Sequence, residues 1–76
     1  MPPHCDALDG PVATAAREAL RREDVSLVLP YVQAQHEAEV EDAFSLTLKA
    51  REQGAEARDV SDRWFFETVV RLHRAG

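Results

Sequence analysis

The sequence predicts an all-α fold, a small bundle of three longer helices plus one short helix, completed by oligomerisation. Three observations carry this. Apolar residues recur at three- and four-residue spacing in three separate stretches. Pro11, Pro30 and Gly54 punctuate those stretches. The one rival strand, Val25–Leu29, has no second strand to pair with. With 76 residues and 8.5 kDa, the chain holds one domain. Such a chain buries only about 60 % of the surface it exposes when unfolded. Self-association or a bound metal is therefore expected to support it. Residues 1–10 read as a loop carrying a cluster of ligand types, and residues 11–76 as a single helical domain.

The first helix is expected over 11–22. Asp9-Gly10-Pro11 supplies an acidic cap and a proline in the first turn, where a missing N–H costs nothing. Val12, Ala16, Ala19 and Leu20 form a narrow apolar face. Asp24 then caps a short helix over 25–29, which Pro30 stops or kinks. The next helix spans 35–53, with Val40, Ala43, Phe44, Thr47, Leu48 and Arg51 on one face. Its first half carries Glu37, Glu39, Glu41 and Asp42, and its end carries Lys49 and Arg51, a polarity that suits the helix dipole. Those four acids read as a solvated face. Gly54 is expected to close the helix in the left-handed conformation.

The last helix spans 55–74. Ala57, Val60, Trp64, Phe65, Thr68, Val69 and Leu72 make one apolar face, with Phe66 and Val70 beside it. Only Arg63, Glu67, Arg71 and Arg74 interrupt the apolar surface, and Glu67 is expected to pair with Arg63 or Arg71 four residues away. A helix apolar nearly all round needs cover on several sides. A chain this short has few elements to give it, so Trp64, Phe65, Phe66, Val69 and Val70 are expected to supply both core and the interface of a homo-oligomer.

Fourteen acidic against nine basic side chains give a net charge of −5, which argues against nucleic acid and anionic membrane surfaces as partners. One cysteine excludes an intrachain disulfide. No stretch is long and apolar enough for a bilayer span, and no signal peptide is visible, so the expected location is cytoplasmic.

His4, Cys5, Asp6 and Asp9 are the one dense group of metal-ligand types. Imidazole and thiolate bind borderline and soft metals, and carboxylates can fill the remaining positions. The spacing is not that of a zinc finger or ribbon. The competing bland reading is a buried thiol beside helix caps. An amino-terminal copper motif is excluded, because Pro3 has no amide proton to lose. As a nucleophile, Cys5 would need a base from elsewhere, since adjacent His4 points to the opposite face of an extended segment. The distant candidates are His36 and His73. His36 reads as solvated or capping at a helix start, and His73 as packed near a helix C-terminus, where it could close a site with the N-terminal segment.

The run His4-Cys5-Asp6-x-x-Asp9-Gly10-Pro11-Val12, together with Phe65-Phe66-Glu67-Thr68-x-x-Arg71-x-His73-Arg74-Ala75-Gly76, resembles a family of small uncharacterised bacterial proteins. That resemblance covers most of the chain and implies a helical fold, with no activity attached. The first seven positions of this run are also similar to the N-terminal hook of nickel superoxide dismutase, which reads His-Cys-Asp-x-x-Cys-Gly in a helical-bundle hexamer. Here Asp9 stands for the second cysteine, and Met1-Pro2-Pro3 precede the histidine whose free amine is a ligand in that enzyme. Both departures remove ligands that nickel redox chemistry uses.

The expected function is therefore that of a small helical protein that binds a metal, with redox use of that metal as an open reading. His4, Cys5, Asp6 and Asp9, with His73 as a completing ligand, would hold a transition metal: nickel, zinc, copper or iron, which the sequence does not distinguish. Two alternatives stand beside it, a non-catalytic homo-oligomeric interaction module and a thiol-dependent enzyme.

Overall fold

Helix α1 (Pro11–Arg22) starts where the sequence places it, with Pro11 in the first turn. The N-cap is Gly10, whose carbonyl accepts from Thr14 N–H at 2.9 Å. In this computed structural model residues 10–75 are described. The acidic cap expected of Asp9 lies outside them. Val12, Ala13, Ala16, Ala19 and Leu20 are buried, and the small alanines let the helix lie close to its neighbour. The helix ends in a Schellman motif. Glu23 adopts the left-handed conformation (φ 54°, ψ 47°), its N–H donates to Leu20 O, and Asp24 N–H donates to Ala19 O at 2.9 Å.

Asp24 also begins the next element, as expected. Its Oδ1 accepts from Ser26 N–H at 3.1 Å and from Ser26 Oγ at 2.6 Å. The segment is not one short helix but two successive 3-10 turns, Val25–Leu27 and Leu29–Tyr31. Pro30 lies within the second turn rather than stopping the first. At the start of a 3-10 turn the missing N–H has no partner to lose. No strand occurs among the described residues.

The continuous helix expected over 35–53 resolves into a 3-10 turn (Ala34–His36), helix α2 (Glu37–Ala50) and a second 3-10 turn (Arg51–Gln53). Val40, Ala43, Phe44 and Thr47 are buried, as the spacing requires. Gly54 does take positive φ, but at φ 121° and ψ 174° it is in the extended, glycine-only region rather than the left-handed helical one.

Helix α3 (Ala55–Ala75) buries Ser61, Phe65, Thr68, Val69 and Leu72. Ser61 Oγ donates to Arg58 O and Thr68 Oγ1 to Trp64 O, so both buried hydroxyls are satisfied within the helix. Val60 and Trp64, expected on the core face, are 68 % and 44 % exposed. The reason is tertiary. α3 packs against α1 along one side and α2 along another, and the side carrying Val60 and Trp64 receives neither.

Both packings are antiparallel. Phe44 meets Phe65 (ring centroids 5.7 Å apart), Glu39 pairs with Arg71, and Arg51 pairs with Asp62, so residue numbers rise on α2 as they fall on α3. Arg17, Leu20 and Arg21 share a cavity with Asp59, Asp62 and Phe66, which sets the C-terminal half of α1 beside the N-terminal half of α3. The N-terminus of α1 therefore lies at the His73 end of α3. Val25, Leu27, Leu29, Tyr31 and Val32 pack on the same core. No helix among the described residues is long and apolar enough to cross a membrane.

Candidate functional site

His73 is the one expected ligand within the described residues. It sits in the last turn of α3, half-buried. Its Nδ1 lies 2.7 Å from the carbonyl oxygen of Tyr31, and its ring meets the Tyr31 ring edge-on, with centroids 6.3 Å apart and planes at 70°. A carbonyl can only accept, so Nδ1 carries the proton. In the neutral ring the basic lone pair then resides on Nε2. The 3-10 turn at Leu29–Tyr31 presents this carbonyl because its short ladder leaves terminal carbonyls unused. The contact joins residues 42 apart in sequence.

His4, Cys5, Asp6 and Asp9 lie outside the described residues. Among the described residues no group of three or more His, Asp or Glu side chains is arranged to hold a metal ion. His36 stands at the N-cap position of α2 but makes no side-chain cap bond there. It is half-buried, with Gln35 Nε2 3.5 Å from its Nε2. Glu39, Glu41 and Asp42 are exposed and Glu37 is half-buried.

The residues expected to form core and interface separate into groups. Phe65 and Val69 are fully buried within a single chain, Phe66 and Val70 are partly buried against the same core, and Trp64 is exposed. Glu67 does not capture either arginine expected for it. Arg63 lies 3.5 Å from Asp59, and Arg71 reaches across to Glu39 at 2.6 Å. The local four-residue rule loses at Arg71 because α2 brings a carboxylate within reach from another element.

A polar feature that the sequence did not announce lies between α2 and α3. Arg51 Nε stands 3.5 Å from Asp62 Oδ1, with the two side chains only 19 % and 22 % exposed. Arg51 Nη1, Asp62 Oδ1 and Thr47 Oγ1 are buried without a hydrogen-bond partner among the described residues. Burial pushes the Asp62 carboxyl above the usual aspartate range, against the opposing pull of Arg51 and Arg58. The pair borders a cavity of about 560 Å³ that Arg17, Arg21 and Phe66 also line. Its lining includes Asp59, Asp62, Arg63 and Glu67, so both signs of charge are interspersed and no single-sign field forms.

No curated protein and no solved structure matches the chain. A family model does match, over residues 9–76, from the residue before the Gly10 cap through all three helices. His4, Cys5 and Asp6 precede the matched stretch, while Asp9 and His73 fall inside it. The chain belongs to the DUF6448 family, described as a family of unknown function.

Proposed function

We propose that this protein binds a transition metal through the thiolate of Cys5, the imidazole of His4 and the carboxylates of Asp6 and Asp9, with His73 as a further ligand. The observation that carries the reading is the orientation of His73. A metal-ligating histidine characteristically gives its other ring N–H to a backbone carbonyl or carboxylate, which fixes the tautomer and raises ligand basicity. The Nδ1 contact to Tyr31 O at 2.7 Å is a bond of that kind.

The antiparallel packing of α1 on α3 adds a second support. Gly10, where residues 1–9 join the helical body, lies at the His73 end of α3. Cys5 is five residues from Gly10, and five residues span at most about 17 Å. A tether of that length would let the cluster approach the His73 end of α3.

Charge balance gives the chemistry. Two carboxylates beside a thiol disfavour a third negative charge. A divalent cation reverses this and deprotonates the thiol. The cluster is electrostatically costly alone and favourable around a metal. Asp9 stands where the dismutase hook has its second cysteine, which leaves one thiolate, up to two imidazoles and two carboxylates. That mixed donor set suits a divalent ion of borderline softness, and no redox step is assigned to it.

Cobalt titration of the untagged full chain tests the reading. Thiolate coordination produces an intense near-ultraviolet charge-transfer band, expected to saturate at one equivalent and to vanish in Cys5→Ser. A missing band, or one unchanged in Cys5→Ser, overturns the proposal.

A further inference from the structure

We propose that the outer face of the α2–α3 hairpin, centred on Leu46, Val60 and Trp64, is the interface of a two-fold symmetric homodimer in which two hairpins form a four-helix bundle. Among the described residues these three are the large apolar side chains left exposed, at 56 %, 68 % and 44 %. They form one patch because of their spacing. The Arg71–Glu39 ion pair, 2.6 Å long, joins α3 to α2 at one end of this face. Leu46 lies seven residues after Glu39, and Trp64 seven before Arg71, so each is two turns along the same side of its own helix. Because the helices run antiparallel, those equal steps bring Leu46 and Trp64 level with one another. One turn further, Ala50 and Val60 come level in the same way. The face therefore reads as a charged row, a turn bordered by the exposed acids Asp42 and Glu67, and two apolar rows.

The occupant is argued from charge. A two-fold axis running along the hairpin lays α2 of one copy over α3 of the other and keeps every row in register. Leu46 of each copy then meets Trp64 of the other, and Ala50 meets Val60. At the end of the face, Glu39 of each copy meets Arg71 of the other, so the two ion pairs become an alternating ring of four charges. An axis across the hairpin would set the Glu39–Arg71 end against the uncharged Gln53 and Ala57 end and lose this match. Only the first arrangement brings Glu39 and Arg71 of opposite copies together, the self-matching contact that an isologous dimer requires. The shared length of the helices is about 21 Å, from 14 residues in α2. Two helices wide, that offers on the order of 500 Å² per partner, at the low end for specific complexes, so dissociation is expected in the micromolar range. The interface differs from the sequence expectation, since Phe65 and Val69 belong to the core and Val60 and Leu46 take their place.

The chain's single tryptophan is in the patch and reports on it directly. The full chain is followed by sedimentation and by tryptophan emission over a concentration series from below one micromolar to several hundred micromolar. The mass is expected to rise from 8.5 kDa to twice that value, with Trp64 emission moving to shorter wavelength over the same range. Val60→Glu, at a 68 % exposed site, is expected to stay monomeric with unchanged helical circular dichroism, and so to show no emission shift. A mass that stays monomeric throughout overturns the proposal. So does a dimer whose emission is independent of assembly, or one that survives Val60→Glu, since either places the contact on another face. Emission already short-wavelength in dilute protein and independent of concentration also overturns it, by assigning the cover to the chain's own residues.

Discussion

Phe65→Ala measures how much of this domain rests on one side chain. Phe65 is fully buried on α3, where both α1 and α2 converge, and its ring lies 5.7 Å from that of Phe44 at an interplanar angle of 57°. Truncating a buried phenylalanine costs about 3–5 kcal/mol through lost transfer free energy and the cavity left behind. A domain of 76 residues at about 0.05–0.15 kcal/mol per residue has a total stability of about 4–11 kcal/mol. The substitution thus removes between about a quarter and all of it. Urea unfolding followed by circular dichroism checks this, at a protein concentration low enough that association adds no stability. Phe65→Leu keeps most of the volume and is expected to cost about 1–1.5 kcal/mol. A double-mutant cycle of Phe65→Leu with Phe44→Leu should return a coupling of about 0.5–1.5 kcal/mol for the tilted ring pair. If Phe65→Ala costs less than about 1.5 kcal/mol, the site collapses around the deletion and the reasoning that places Phe65 at the convergence of the three helices fails.

Two backbone positions and one titration complete the set. Glu23 holds a left-handed conformation that glycine adopts freely, so Glu23→Gly should raise stability by about 0.5–1 kcal/mol, while Gly54→Ala, at φ 121°, should lower it by about 1–3 kcal/mol although a Cβ there meets nothing within 4 Å. Both are read by urea midpoints at constant slope. Asp62 is held above its ordinary value, so the folded state binds more protons than the unfolded state in the window just above the normal aspartate range. Stability from this group is full below the unfolded pKa and falls as pH rises through the folded one. Asp62→Asn should flatten that fall in a series of unfolding curves between acidic and neutral pH, and an unchanged slope would remove Asp62 as its source.

The parts of the fold visible in the sequence are those fixed by residues near one another in the chain. Val12, Ala16, Ala19 and Leu20 define one face without help from the rest of the protein, and Pro11 fixes where α1 starts. Asp24 caps the next turn through Ser26, two residues away. Periodicity within α2 likewise selects Val40, Ala43, Phe44 and Thr47. The same reasoning fails on α3, where apolar residues extend round most of the helix. A helical wheel shows that Phe65 and Trp64 are both apolar, but which one is buried depends on where α1 and α2 come to rest. That is decided by α1 and α2 together, and no window along α3 contains either. Arg71 is a similar case, since its sequence neighbour Glu67 and its spatial neighbour Glu39 compete and the second prevails.

The candidate site shows the same division more sharply. The donor types at His4, Cys5, Asp6 and Asp9 are visible as a group because they stand within a few positions of each other in the chain. The bond from His73 to Tyr31 O is not readable, because a backbone carbonyl carries no side-chain signature and the two residues are 42 apart. Pro30 is the nearest thing to a signal. It forces a tight turn beside Tyr31, but nothing in it says which side chain the turn will meet. The return of the segment after α1 to the C-terminal end of α3 supplies that answer. Antiparallel packing of α1 on α3 in turn sets His73 at the end of the helical body where residue 10 stands. A metal site assembled this way would tie together the two ends of the described chain and close a loop of more than 60 residues, where a cross-link constrains the unfolded chain most. Metal binding and resistance to unfolding would then rise together in a chain too small to bury a large core.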